Sequence, residues 1–142
     1  MIRILVADDS GIAREVINNG IAVHRSKRYI EVDNVDNGRS AVEVLKKKHI
    51  DIAFIDINMP GLNGPDVIAP MSETKSADCL TVAISSGLDE RNANMLQQLG
   101  AYHFLKKPFT QEDVSEIVAT YMTMTTTYPI LIVDDSGTMR KL

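Results

Sequence analysis

Asp51-Ile52-Ala53-Phe54-Ile55-Asp56-Ile57-Asn58-Met59-Pro60-Gly61 is the stretch on which the fold turns. The unbroken apolar run Ile52 to Ile55 reads as a strand covered on both faces, and Met59-Pro60-Gly61 then ejects the chain into a loop. Asp56 therefore stands at the mouth of a sheet, where open parallel sheets bind their ligands. The apolar run from Met1 to Ala7 ends the same way, in Asp8 and Asp9. Carboxylates gathered at one mouth repel unless a positive charge lies among them, so this edge calls for a cation.

Outward from that strand the chain alternates. Ile2 to Ala7 is the first strand, Ser10 is an N-cap, and Ile12, Ala13, Val16, Ile17, Gly20 and Ile21 recur at helical spacing to about His24. Tyr29, Ile30, Val32 and Val35 alternate loosely with polar residues, which describes a second strand with a wet face or edge. Asp36-Asn37-Gly38 turns into a second helix carrying Ala41, Val42, Val44 and Leu45, and Lys46-Lys47-Lys48 at its end suits the helix dipole as solvated charge. Beyond Gly61 a loop leads to a short helix from Pro65 to about Met71, weakened by Pro70. Leu80 to Ile84 is a fourth strand ending in Ser85-Ser86-Gly87. Asp89 caps a helix with Ala93, Leu96 and Leu99 that closes at Gly100. Ala101 to Leu105 is a mixed fifth strand followed by Lys106-Lys107-Pro108-Phe109. The last helix starts at Thr110, with Asp113 as its capping-box partner and Val114, Ile117, Val118 and Tyr121 as its apolar stripe.

Five strands alternating with five helices predict an α/β fold with a parallel sheet and helices on both faces. The first, third and fourth strands are nearly all apolar and belong in the centre; the second and fifth are mixed and belong at the edges. The expected architecture is the flavodoxin-like (βα)5 doubly wound sheet of order 2-1-3-4-5, whose switch point lies between strands 1 and 3. Asp8, Asp9 and Asp56 would flank that crevice.

Composition narrows the function. The chain has 142 residues, of which 44% are hydrophobic and 24% charged, enough for one domain with a real core. No apolar run reaches membrane-spanning length and no signal peptide is visible. The net charge of -4 leaves no electrostatic footprint for nucleic acid. The single cysteine, Cys79, excludes an internal disulfide, fits a reducing cytoplasm and opens an apolar run as a small buried hydrophobe would.

Hard oxygen ligands with open positions suit Mg²⁺, which takes one or two carboxylates, waters and a phosphate oxygen. Asp56, coming singly from the middle strand, is the candidate nucleophile for an aspartyl-phosphate, with Asp8 and Asp9 as the metal-holding pair. The Ser85 hydroxyl and the Lys107 ammonium can reach a phosphoryl group on Asp56 from two further strand ends. The Lys107-Pro108 peptide stays open between trans and cis. Any one of these residues alone reads as a turn or cap residue. Their coincidence at four strand ends on one edge points to an anion or metal site. His24, His49 and His103 fall on separate elements without ligand spacing and read as structural or exposed.

With Asp8-Asp9, Asp56-Ile57-Asn58-Met59-Pro60, Ser85 and Lys107-Pro108-Phe109 in this order, residues 1 to about 123 resemble the receiver domain of bacterial two-component response regulators. The resemblance implies Asp56 as phosphoacceptor, with Asp8, Asp9, Asp56 and the backbone carbonyl of Asn58 around Mg²⁺. It also implies Ser85 as switch hydroxyl, Lys107 as phosphate-binding lysine and Phe104 as the aromatic whose rotamer follows Ser85. Asn58 and Gly87 would tune autodephosphorylation. A sensor histidine kinase or phosphotransfer protein would be the donor, and the face made by helix 4, strand 5 and helix 5 would switch an output domain or protein, or a homodimer. Such a domain is no enzyme beyond its own phosphorylation and slow dephosphorylation. Two rival readings are a phosphorylation-independent interaction module and a Mg²⁺ phosphohydrolase. The complete acceptor, metal and clamp set opposes the first. The lack of a second acid two residues after Asp56 opposes the second.

The tail repeats the head. Ile130-Leu131-Ile132-Val133-Asp134-Asp135-Ser136-Gly137-Thr138-Met139-Arg140 matches Ile4 to Arg14 at an offset of 126, with seven identities in eleven. The expected organisation is a receiver over 1-123, a linker over 124-129 and the start of a second receiver over 130-142, as in a tandem-receiver protein. For the tail two outcomes stay open: a frayed end, or Ile130 to Val133 pairing with a sheet edge or exchanging with the first strand of another protomer.

Overall fold

The computed structural model describes residues 1-87 and 90-126. Five strands, β1 (Ile2–Ala7), β2 (Ile30–Val35), β3 (Ile52–Asp56), β4 (Leu80–Ser85) and β5 (Ala101–Lys106), form one sheet of order β2-β1-β3-β4-β5. Every neighbouring pair is parallel, with Ile4 opposite Ile52, Asp56 opposite Ile84 and Ser85 opposite Lys106. This is the flavodoxin-like order expected from the sequence. Between the strands run α1 (Gly11–Ala22), α2 (Gly38–Lys47), α3 (Gly64–Ile68), α4 (Glu90–Leu99) and, after β5, α5 (Gln111–Thr126).

Period-two alternation divides the core between the sheet's two faces. Ile4, Val6, Ile52, Phe54, Val82 and Ile84 point to the face covered by Ile17 and Ile21 of α1 and Val114, Ile117 and Val118 of α5. Leu5, Ala7, Ala53, Ile55 and Ala83 point to the other, against Ala41 and Leu45 of α2, Val67 and Ile68 of α3 and Leu96 of α4. β3 is buried at every position, whereas β2 and β5 are buried only in part, as edge strands are.

Local signals explain the helix ends. The Ser10 hydroxyl accepts from the Ala13 N–H, and Asn37 and Asn63 cap α2 and α3 in the same manner. Thr110 and Asp113 exchange hydrogen bonds of 3.0 and 3.2 Å, the reciprocal capping box expected before α5. Gly100 closes α4 with a φ of +119°, a conformation that favours glycine. Gly20, within the α1 stripe, marks a close approach of α1 and α5: an added Cβ would lie 2.6 Å from the Gln111 carbonyl oxygen and 2.7 Å from Val114 Cβ.

Three expected boundaries move. α1 ends at Ala22 and turns carry the chain from there to β2. The helix expected from Pro65 splits, and Ala69–Glu73 is a 3₁₀ helix, because Pro70 has no N–H to continue the α-helical ladder. α5 runs on to Thr126, three residues into the stretch expected as linker. The Thr120, Thr123 and Thr125 hydroxyls donate to the carbonyls of Glu116, Ala119 and Tyr121, satisfying themselves within the helix. The Asp89 cap, the rest of the linker and the repeat over 130-142 lie outside the described residues.

Candidate functional site

The site follows from the strand order. Parallel strands bring all their C-terminal ends to one edge, and β1 and β3 lie side by side there while their following helices, α1 and α3, pack on opposite faces. Asp8, immediately after β1, is fully buried, and Asp56, the last residue of β3, is 3% exposed. Asp9 is exposed. Oxygens of Asp8, Asp9 and Asp56 all lie within 4.8 Å of one another.

Backbone donors fix the two buried acids. The Asn58 N–H donates to Asp56 Oδ1 at 2.9 Å and the Ser10 N–H to Asp8 Oδ1 at 2.9 Å. From the end of β5, Lys107 Nζ reaches Asp56 Oδ2 at 3.1 Å and Asp8 Oδ2 at 3.2 Å. The Lys107-Pro108 peptide is cis, which settles the alternative left open by the sequence. Burial, opposed by the Asn58 N–H and reinforced by Asp8, raises the Asp56 carboxyl above the usual carboxylate range. For Lys107, burial acts to lower the ammonium, but the hydrogen bonds to Asp56 and Asp8 prevail and raise it. The lysine thus stays charged and bridges two acids.

One buried acceptor is left over. Asp8 Oδ2 has no hydrogen-bond partner, although it lies beside the Lys107 ammonium. A buried oxygen that accepts no hydrogen bond, paired with the Lys107 ammonium at 3.2 Å and facing two further carboxylates at metal-ligand spacing, fits a hard divalent cation. Asp8, Asp9 and Asp56 would hold it.

Ser85 is 5% exposed at the end of β4. Its hydroxyl donates to the Gly87 carbonyl at 2.9 Å and accepts from the Gly87 N–H at 3.1 Å, so it is turned into its own loop. Its backbone carbonyl accepts from the Lys107 N–H at 2.7 Å, which ties the β4 and β5 ends together. Phe104 is half-buried on β5, and beside it a cavity of about 290 Å³ is lined by Ser85, Ala93, Leu105 and Lys106 as well. The structure therefore brings Asp8, Asp9, Asp56, Asn58 and Lys107 into one crevice, with Ser85, Gly87 and Phe104 along its β4–β5 side.

Sequence reasoning missed Arg14. Its Nη1 donates to the Asp8 carbonyl oxygen at 2.6 Å, back across the first turn of α1. The available signal was the internal repeat, in which arginine recurs at the same distance from the acid pair while the two residues before it change. The histidines fall as expected: His24 bonds Ser115, His49 lies 3.0 Å from Asp78, and His103 is exposed. Cys79 packs against the second core cluster, and burial pushes its thiol up.

Comparison with known proteins agrees with this fold. The family model described as response regulator receiver domain matches residues 4–119. The 3',5'-cyclic-nucleotide phosphodiesterase regA of Dictyostelium discoideum is 30% identical over 125 residues, 85% of this chain and 15% of that protein. The chain thus spans a small part of that relative. Among solved structures, the receiver domain of the response regulator NarL from Mycobacterium tuberculosis superposes with a TM-score of 0.73 at 27% identity, covering 84% of this chain and 94% of that one. A receiver domain of a sensor histidine kinase from Pseudomonas aeruginosa PAO1, solved with magnesium coordinated in its active-site cleft, shares the fold with a TM-score of 0.72 at 19% identity, covering 84% and 96%.

Proposed function

This chain belongs to the response regulator receiver domain family, and we propose that it accepts a phosphoryl group on Asp56 from a phosphohistidine of a sensor histidine kinase or phosphotransfer protein. The observation that carries this reading is the grouping of a buried carboxylate, an acid pair and an ammonium in one crevice, with one Asp8 oxygen accepting no hydrogen bond. In the transfer a carboxylate oxygen of Asp56 attacks phosphorus, the O–P bond forms and the P–N bond breaks. The departing electron pair stays on the imidazole, which takes up a proton. Lys107, already 3.1 Å from Asp56, meets the negative charge of the incoming phosphoryl oxygens without reorganising. Mg²⁺ held by Asp8, Asp9, Asp56 and the Asn58 carbonyl would neutralise phosphoryl charge during transfer; the magnesium in the Pseudomonas aeruginosa neighbour supports that choice of ion.

Phosphorylation adds roughly 1.5 to 2 negative charges next to β4. The Ser85 hydroxyl meets them by leaving Gly87 and turning inward, and Phe104 follows into the cavity on the Ser85 side. The change reaches the face of α4, β5 and α5, which controls an output domain or protein, or a homodimer. The length of the phosphodiesterase relative supports an output carried outside residues 1–123, and the repeat of 4–14 at 130–140 supports a tandem receiver joined by a linker ending at 129. The chain's own chemistry is then its phosphorylation and slow dephosphorylation, tuned by Asn58 and Gly87, in the cytoplasm.

Intact mass before and after incubation with acetyl phosphate tests the acceptor. A phosphate-sized gain is expected that requires Mg²⁺ and disappears in Asp56→Ala. No gain by a folded chain that binds Mg²⁺ overturns the reading in favour of a phosphorylation-independent module.

A further inference from the structure

We propose that Arg14 is a positioning residue for the metal site, acting through the Asp8–Asp9 peptide. The inference rests on the Mg²⁺ reading above. Of the three acids, Asp8 and Asp56 are buried and aimed by backbone N–H donors at 2.9 Å. Asp9 has neither support: it is exposed, and among the described residues its carboxylate takes no hydrogen bond. The position of the Asp9 Cα is set by the peptide it hangs from, and that unit's carbonyl is the one Arg14 Nη1 grips at 2.6 Å. A planar peptide held at its oxygen fixes the direction of its following Cα, so the grip transmits to Asp9. The bond is charge-assisted and spans from the first turn of α1 to the loop before it, bracing the loop against the helix.

The repeat within the chain supports a role tied to the acid pair. Between positions 4–14 and 130–140, Ile12 and Ala13 give way to Thr138 and Met139, while the acid pair, the Ser-Gly after it and the arginine recur. Arg14 is half-buried at the crevice edge, so its side chain is not retained for core packing.

Charge and positioning make opposite predictions. A guanidinium near the acids repels a dication, so if charge alone mattered, its removal would tighten Mg²⁺ binding. If it aims the ligands, removal weakens binding, as loss of a partner outside the direct ligands does in other metal sites, by about tenfold at least.

The test is Mg²⁺ titration calorimetry on the full chain, without a phosphodonor, for the unaltered protein, Arg14→Met, Arg14→Lys and Asp8→Asn, alongside thermal unfolding in chelator. Expected are a dissociation constant raised about tenfold in Arg14→Met, an intermediate value in Arg14→Lys, and loss of binding in Asp8→Asn. With acetyl phosphate the Mg²⁺ concentration for half-maximal rate should rise in Arg14→Met while the rate at saturating Mg²⁺ holds. Should Arg14→Met not fold, Arg14→Gln, neutral and two bonds shorter, makes the same comparison. Unchanged or tighter Mg²⁺ binding on loss of the guanidinium overturns the role of Arg14 alone. Absence of Mg²⁺ binding by the unaltered chain overturns the metal reading and this inference together.

Discussion

Asp56 is held in a state that folding would by itself disfavour. Its carboxyl is raised by burial and by Asp8 despite the Asn58 N–H and Lys107, so between its unfolded and folded values the native state binds more protons than the unfolded chain. Stability therefore falls as pH rises through that window, the reverse of a salt-bridged surface aspartate. In chelator, Asp56→Asn should raise the thermal midpoint at pH 7 by about 4 °C, the shift that about 1 kcal/mol produces in a domain of this size. The gain should shrink as pH falls through the unfolded carboxyl's value of about 3.9 and be lost well below it, where the carboxyl is protonated in both states. A lower midpoint for the variant at pH 7 would mean that the bonds from Asn58 and Lys107 outweigh burial. The identity of these residues was legible in the sequence because each terminates an apolar run, and a parallel sheet sends every such end to one edge. Side-chain aim was not legible. That the Ser85 hydroxyl turns to Gly87, and that Arg14 folds back to Asp8, depend on loop dihedrals that no periodicity encodes.

At the scale of elements, the α1–α5 contact fixes how the last helix lies on the sheet. Replacing Gly20 by alanine gains up to about 1 kcal/mol of helix propensity. It also drives a methyl to 2.6 Å from the Gln111 carbonyl, which is backbone and cannot rotate away. Overpacking of that kind costs about 1 to 3 kcal/mol, so the variant should lose net stability. A urea midpoint lowered with unchanged slope would bear this out; a raised midpoint would show that the helices part freely. Edge and central strands were readable from apolar patterning, since an edge strand must alternate where a central one need not, and the order followed once consecutive elements were taken to lie side by side. The end of α5 was not readable. Met122 to Thr126 are rich in threonine, whose propensity argues for a loop, and composition does not show that the Thr123 and Thr125 hydroxyls are satisfied on carbonyls of the preceding turn.

At the scale of the whole molecule, α4 is held lightly: among the described residues it buries Leu96, whereas α1 buries Ala13, Ile17, Gly20 and Ile21. It borders the cavity beside Ser85 and Phe104. An element with little buried apolar surface is where a local change at β4 can move structure at low cost. Beryllofluoride with Mg²⁺, an acyl-phosphate mimic, should alter amide hydrogen exchange in α4 and β5 and leave α1 and α2 unchanged beyond their first turns. Uniform exchange across α4 and β5 with and without the mimic, together with unaltered oligomeric state and partner binding, would remove the switch.

The lysine bridge between Asp8 and Asp56 has a bearing on ion selectivity. An ammonium already delivers one positive charge to a crevice of three carboxylates, so two negative charges remain and sodium or potassium arriving there does not balance both. A dication does. Valence therefore favours a dication over a monovalent ion in this crevice.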